Sequence, residues 1–384
     1  MKKIAIIAGE VSGDLLGSRL ISALKKHYPD AQFEGIAGKE MQAQACECLY
    51  PMERLSVMGF TEVLSRLFEL VSMRKKLVQR WLDNPPDLFI GIDAPDFNLA
   101  LEAKLHQQGI PSVHYVSPSI WAWREKRVKK IQGNLDLMLT LFPFEVDFYR
   151  KHQVKAQFVG HPLADEIPFK VDTLAARKSL NLPLDQTILA ILPGSRRGEI
   201  KRLSPAFLQA AVQIQIKYPQ LYFVTPMVNQ EIQQQFEAIK QKIAPDLAIH
   251  YIDGQSRQVM TAADTLLMAS GTAILEGMLV GKPMLAAYKV SASTAAIIRL
   301  FKMIKAPYFT LPNNLAGEAL VPELIQEEVT CENIVKQLQI LFEQDEQADY
   351  RQQRFTEIHR QLAINSSQSA ANAIINLYKD LNKT

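Results

Sequence analysis

Short apolar runs alternate with amphipathic stretches along the chain, and most of the runs end in glycine or a polar residue. Ile4–Ala8 is unbroken apolar sequence that gives way to Gly9-Glu-Val-Ser-Gly-Asp14 and then to helical spacing. The same grammar returns where Ile188–Leu192 runs into Pro193-Gly-Ser-Arg-Arg-Gly-Glu199. Unbroken runs of this length mark strands buried on both faces, and their alternation with helices marks a parallel sheet. The pattern predicts strands at 4–8, 32–37, 88–92, 112–116, 135–141 and 156–159. A second series follows near 188–192, 221–225, 248–252, 265–268 and 284–288. From Val329 onward the sequence reads as helix, with a Gln-rich stretch around 332–360 and a last amphipathic helix at 365–381. The expected class is α/β, with two doubly wound parallel-sheet domains facing each other across a cleft.

A chain of 384 residues fits two domains at roughly 100–200 residues each. The charged, proline-bearing stretch between Gly160-His-Pro-Leu163 and Pro183 reads as the linker. This predicts domains at 1–165 and 166–384, with the C-terminal helices free to cross back to the first. The net charge of +3 is too small to argue for nucleic acid by itself, and no nucleic-acid partner is expected. Three cysteines, two of them in Cys46-Glu-Cys48, lack the companions a zinc site needs, so no metal is expected and reduced thiols are. Met-Lys-Lys leads straight into a strand without a leader pattern, and no run approaches the roughly 20 apolar residues of a membrane span. The expected location is the cytoplasm, with any membrane contact peripheral.

Two segments suit such contact. Between Val57 and Leu82, apolar residues including Phe60, Leu64, Phe68, Val71, Val78 and Trp81 keep helical spacing, interleaved with Arg66, Arg74, Lys75, Lys76 and Arg80. Residues 295–305 are apolar with three cations and no acid. A core-facing helix with a solvated basic face and an interfacial helix on anionic lipid both fit this pattern.

The polar residues at the strand ends are the candidate chemistry, because parallel sheets hold ligands there and helix N-termini attract anions. The first loop is not a dinucleotide fingerprint. Its glycines are Gly9 and Gly13, and Glu10 and Asp14 inside it would repel a pyrophosphate. Glu10, Ser12 and Gly13 suit the hydroxyls of a sugar better. In the second loop Gly194 permits close backbone approach, Ser195 can cap the helix, and Arg196 offers a fork for phosphate oxygens. Ser270-Gly-Thr272 opens another helix, with Glu276 one turn in, where a carboxylate can accept both hydroxyls of a ribose or simply complement the helix dipole. Asp93, in Gly91-Ile-Asp-Ala-Pro-Asp96, follows a strand end and can act as a general base; a turn or cap role fits Asp96 better. Trp121 and Trp123 stand in a short basic stretch that suits core packing by one ring and a sugar or lipid contact by the other, Trp123. His114 and His161 are lone histidines that suit structural roles. No Asp-x-Asp occurs in the chain, so arginines and helix N-termini would have to stabilise a leaving diphosphate.

Taken together, Ala8-Gly-Glu-Val-Ser-Gly-Asp14, Gly91-Ile-Asp-Ala-Pro-Asp-Phe97, His114-Tyr-Val-Ser-Pro-Ser-Ile-Trp-Ala-Trp-Arg124, Leu192-Pro-Gly-Ser-Arg196, Ser270-Gly-Thr-Ala273 and Leu311-Pro-Asn313 resemble the lipid-A-disaccharide synthases, in order, from residue 4 to beyond 330. The resemblance implies the GT-B architecture of two Rossmann-like domains and an inverting, cofactor-free glycosyltransferase at the inner membrane of Gram-negative bacteria. It implies UDP-2,3-diacylglucosamine as donor and 2,3-diacylglucosamine 1-phosphate (lipid X) as acceptor. By position it gives Asp93 the base role, Arg196 the UDP diphosphate, Asn313 a place near the nucleotide and Glu10 the first-domain side of the cleft. The chain departs from the family at Asn314, where leucine is usual, and at Glu318, where arginine is frequent. A UDP-sugar 2-epimerase on the same architecture and a non-catalytic nucleotide- or lipid-binding module are the competing readings. A homodimer is left open.

Overall fold

The computed structural model describes residues 1–55, 60–123, 125–291, 294, 307–343 and 345–383, with backbone alone at 60–67, 122–123 and 125–126. The chain divides into two compact units, residues 1–165 with 362–384, and residues 166–361.

The first unit holds β1 (Lys3–Ala8), β2 (Gln32–Ala37), β3 (Cys46–Pro51), β4 (Leu88–Ile92), β5 (Ser112–Tyr115), β6 (Leu137–Thr140) and β7 (Ala156–Phe158). Among the described residues they form a seven-stranded sheet in the order β3-β2-β1-β4-β5-β6-β7. The second unit holds β8 (Ile188–Leu192), β9 (Tyr222–Met227), β10 (His250–Asp253), β11 (Thr265–Ala269), β12 (Met284–Tyr288) and β13 (Glu323–Ile325), in the order β10-β9-β8-β11-β12-β13. Every pairing is parallel.

The apolar runs become the central strands because both faces of a parallel sheet are covered. In β1, Ile4, Ile6 and Ala8 join one core with the helices Val11–Lys25 and Ser366–Leu381. Ala5 and Ile7 join another, with Met73, Leu77 and Trp81 of the helix Phe60–Asp83 and Phe97 and Leu101 of the helix Pro95–His106. The side-chain period of two along a strand assigns each residue to its layer.

Two strands escape the sequence pattern, and both are sheet edges. β13 has three residues. β3 carries the Cys-Glu-Cys sequence, whose composition reflects a half-exposed edge. Burial pushes the Cys46 thiol up to about 12, so it stays protonated. Among the described residues no group of three or more His, Cys, Asp or Glu side chains could hold a metal.

The helix Ser366–Leu381 belongs to the first unit. Ala370, Ile374 and Leu377 enter the core beside β1 and β4, and Tyr378 meets Tyr28 edge-on. Asp165 fastens its N-terminus, accepting from Asn365 N at 2.8 Å and Ser366 N at 2.6 Å. A carboxylate on free N–H groups at this end is worth about 1 kcal/mol. We therefore expect Asp165→Ala to speed native-state hydrogen exchange of the amides in this helix about five- to tenfold, with the strands β8–β12 unaffected.

Candidate active site

In each sheet the winding reverses once, between β1 and β4 in the first and between β8 and β11 in the second. Crossovers leave in opposite directions there, so the ends of the two strands are left open side by side. The residues singled out at strand ends sit mainly at these two places, and at each a glycine admits a close contact.

In the first unit, Gly9 and Ala94 follow β1 and β4. A Cβ on Gly9 would lie 2.8 Å from that of Ala94, so glycine is what lets the two loops touch. Asp93 and Ala94 are consecutive residues in the left-handed region, with φ of 49° and 43°. Neither has glycine's freedom, and such residues survive only where their surroundings over-determine them. Here the Asp93 N–H donates to Tyr115 O at 2.9 Å, and Asn98 Nδ2 donates to Asp93 O at 2.8 Å. At the end of β5, Val116 has φ 81°, a genuine outlier for a β-branched residue. Strain thus collects at the carboxyl end of this sheet. Sequence reasoning found Asp93 by its motif and missed its conformation.

Glu10 precedes the helix Val11–Lys25 and is exposed, as is Ser12, while Gly13 is buried. A Cβ on Gly13 would make only ordinary contacts, the nearest at 3.5 Å. The glycine that packing requires is Gly17, against Met41. Asp14 corrects the picture of an acid-rich loop. It is buried and accepts from the N–H groups of Gly38, Glu40 and Met41 at 2.9, 2.9 and 3.1 Å. Its charge is spent on the turn after β2. Trp123 ends the helix Ile120–Trp123, but its side chain lies outside the described residues.

In the second unit, Gly194, Ser195, Arg196, Ser270, Gly271 and Thr272 line one pocket of about 340 Å³ at the ends of β8 and β11. Gly194 has φ 115°, and a Cβ there would sit 2.3 Å from Glu199 Oε2. The helix Arg197–Lys217 begins with Arg196 as its cap residue. The cap is the Glu199 carboxylate, which accepts from Ser195 N at 3.0 Å and Arg196 N at 3.3 Å, in place of the expected Ser195 hydroxyl. The missed signal is a glutamate three residues into a helix, the half of a capping box that reaches back. The Arg196 side chain is 84% exposed, with one terminal nitrogen 3.8 Å from Glu199 Oε1. A Cβ on Gly271 would meet nothing within 4 Å, so the fold does not demand glycine there.

Two expected nucleotide contacts lie apart from this pocket's lining. Glu276 Oε2 accepts from Arg257 Nε at 3.1 Å, and Arg257 also reaches Glu166 at 3.2 Å. Asn313 is buried, donating to Val321 O and Glu323 Oε1 and accepting from the N–H groups of Leu320 and Val321. All four hydrogen-bonding positions of its amide are taken, which makes it the anchor of the loop before β13. The departures from the family pattern serve this loop as well. Asn314 Nδ2 donates to Tyr308 O and Thr310 O, and Glu318 accepts from Tyr350 and Arg354.

The basic helix Phe60–Asp83 is divided between the two readings of it. Arg80 binds Glu34 with Nε and a terminal nitrogen at 3.2 and 2.9 Å, and Trp81 Nε1 reaches the same carboxylate at 2.7 Å. Burial raises the Glu34 pKa, but these bonds and Lys3 outweigh it and hold it below the usual carboxylate range. Arg74 lies over the Phe97 ring. Lys75 and Lys76 remain exposed, as does Phe68 at 86%. Residues 57–59 and 295–305 lie outside the described residues, as do the side chains of Phe60, Leu64 and Arg66.

A family model described as lipid-A-disaccharide synthetase matches residues 4–375. The chain belongs to this family. A lipid-A-disaccharide synthase of Pseudoalteromonas translucida is 52% identical over 375 residues, covering 98% of this chain and 97% of the relative. The chain is therefore a glycosyltransferase of lipid A biosynthesis. Among solved structures, a UDP-GlcNAc 2-epimerase from Neisseria meningitidis bound to UDP-GlcNAc aligns over all of both chains, with TM-score 0.61 and 15% identity. A glycosyltransferase from Rickettsia africae aligns over 100% of this chain and 99% of its own, with TM-score 0.60 and 10% identity. At such identities the likeness is one of fold, and the fold is GT-B. No helix among the described residues is long and apolar enough to cross a membrane.

The glycine at 194 is the point on which the second strand-end loop turns. Replacing it by alanine forces both a left-handed φ and a displacement of Glu199. We expect Gly194→Ala to lower unfolding free energy by about 1–3 kcal/mol, read by urea denaturation, and Gly271→Ala to change it by less than about 0.5 kcal/mol.

Proposed function

We propose that the chain moves 2,3-diacylglucosamine from UDP-2,3-diacylglucosamine to the 6-hydroxyl of 2,3-diacylglucosamine 1-phosphate (lipid X). The products are the β-1,6-linked disaccharide 1-phosphate and UDP. Membership of the family across residues 4–375 carries this reading. In it, Asp93 takes the proton of the acceptor hydroxyl as its oxygen attacks the anomeric carbon from the face opposite UDP. A single displacement of this kind inverts the configuration.

The leaving diphosphate carries the charge that develops, and the pocket at β8 and β11 suits it. Arg196 offers an exposed guanidinium beside Gly194 and Ser195, and Ser270, Gly271 and Thr272 line the other side, while the Ser195 and Arg196 N–H groups would have to exchange the Glu199 carboxylate for phosphate oxygens. Positioned donors of this kind each contribute roughly 10²–10³ in rate. Glu276 is assigned to the ribose through the oxygen that does not hold Arg257. Asn313 supports the nucleotide side through its loop. Glu10, Ser12, Gly13 and Trp123 serve the acceptor. No metal is required, so turnover should survive EDTA.

A general base contributes roughly 10²–10⁴ in rate. Asp93→Asn should lower kcat by about that factor while UDP affinity, measured by calorimetric titration, stays within about twofold of wild type. Undiminished turnover would remove Asp93 from the mechanism. Turnover of an unacylated UDP-sugar without lipid X would favour the epimerase reading instead.

The acyl chains of both substrates place them at a membrane surface, and we assign the enzyme a peripheral position on the inner face of the inner membrane. Exposed Phe68, Lys75 and Lys76 on one helix support this. Each cation near an anionic surface adds about 1 kcal/mol. Lys75→Ser with Lys76→Ser should weaken sedimentation with phosphatidylglycerol vesicles about tenfold or more at low salt, and 0.5 M salt should erase the difference. Binding indifferent to both changes would defeat the electrostatic part of this assignment.

A further inference from the structure

The first sheet holds a buried polar cluster that the reaction above leaves without a task. Gly91 lies on β4, two residues before Asp93. A Cβ on it would lie 2.1 Å from Glu102 Oε1 and 2.9 Å from Asn98 Cβ. Two side chains one turn apart on the helix Pro95–His106 therefore converge on bare backbone. From β5, His114 is in register with Gly91, and its Nδ1 lies 2.7 Å from the same Glu102 oxygen. Asn98 and His114 are 0% exposed and Glu102 is 1%.

Asn98 Nδ2 spans the carbonyls that end the strand, 3.3 Å from Ile92 O and 2.8 Å from Asp93 O. Among the described residues, Asn98 Oδ1, Glu102 Oε2 and His114 Nε2 are buried without a hydrogen-bond partner. Burial pushes the Glu102 carboxyl above its ordinary range, against the pull of His114.

As a device for stability this cluster is a poor choice. Glycine inside a buried strand loses more chain entropy than any other residue. Buried polar atoms without partners are costly, and apolar residues of the same volume commonly replace a buried pair without loss. What the cluster does hold is the left-handed Asp93–Ala94 turn, gripped by Tyr115 O on the Asp93 N–H and by Asn98 on its carbonyl.

We propose that Asn98, braced by the Glu102–His114 pair against Gly91, is a positioning residue that fixes Asp93 in its left-handed turn and so aims the carboxylate. This rests on the reading of Asp93 as the base. An error of about 1 Å in such a group costs on the order of 10² in rate.

The test uses the full chain. Asn98→Leu removes the amide at nearly constant volume, and Glu102→Gln keeps the shape of the carboxylate. Steady-state kinetics, UDP titration and a thermal melt are measured on each. We expect kcat to fall about 10- to 100-fold in Asn98→Leu and about three- to tenfold in Glu102→Gln, with KM and UDP affinity within about twofold. Placed on Asp93→Asn, Asn98→Leu should cost nothing more, because it acts through the group already lost. Wild-type kcat in a folded Asn98→Leu, or losses that multiply with Asp93→Asn, would overturn the inference alone. So would a fall in UDP affinity that tracks kcat. If Asn98→Leu does not fold, Glu102→Gln decides by the same criteria. Wild-type turnover by Asp93→Asn would overturn the base assignment and this inference with it.

Discussion

Parallel strands cannot be joined by tight turns, so each connection in these sheets must travel across a face before the next strand begins. Where the direction of travel reverses, two strand ends stand next to each other without a covering loop. β1 with β4 and β8 with β11 are those pairs, and most of the candidate site residues follow them. A side chain at Gly9 would meet Ala94 of the neighbouring loop, and one at Gly194 would meet Glu199 of the helix that follows it. The backbone geometry is fixed first, and the reactive groups are mounted on it.

The two places then diverge in character. After β8 the backbone N–H groups of Ser195 and Arg196 face a carboxylate from their own helix, and the guanidinium beside them is exposed. After β1 the acids predominate, but Asp14 is satisfied by three N–H groups and lies buried. Glu10 is what that loop shows to its surroundings. The first unit adds a second device, a pair of left-handed residues at Asp93 and Ala94 held from both sides of the peptide.

Much of this was legible in the residues. Central strands announce themselves because they are buried on both faces, and Ile4–Ala8 and Ile188–Leu192 fall within the observed β1 and β8. Two edge strands do not, Cys46–Pro51 for its polar, half-exposed sequence and Glu323–Ile325 for its three-residue length, although the opposite edges at Ala156–Phe158 and His250–Asp253 were legible. Motifs named Asp93, Gly194 and Arg196, yet no motif carries a dihedral angle, so the strain at Asp93 emerged only in three dimensions. Partner choice was equally hidden. Glu34 captures Arg80, Glu102 captures His114, and Asn313 spends its whole amide on its own loop, all through contacts made by residues distant in sequence or around a turn.

The Asp165 clasp on the last helix has a bearing on how the chain comes off the ribosome. The helix Ser366–Leu381 supplies Ala370, Ile374 and Leu377 to the core beside β1 and β4. The unit that holds β1 therefore lacks part of its interior until residues 200 positions beyond Asp165 are in place. Residues 166–361 form a unit from one unbroken stretch of chain. Domains generally fold as units during synthesis, so the half encoded second is the first that can finish. Until then the core that the helix Val11–Lys25 builds on β1 and β4 stands open on the side where Ala370, Ile374 and Leu377 belong, and the nascent chain depends on whatever shields that side during translation.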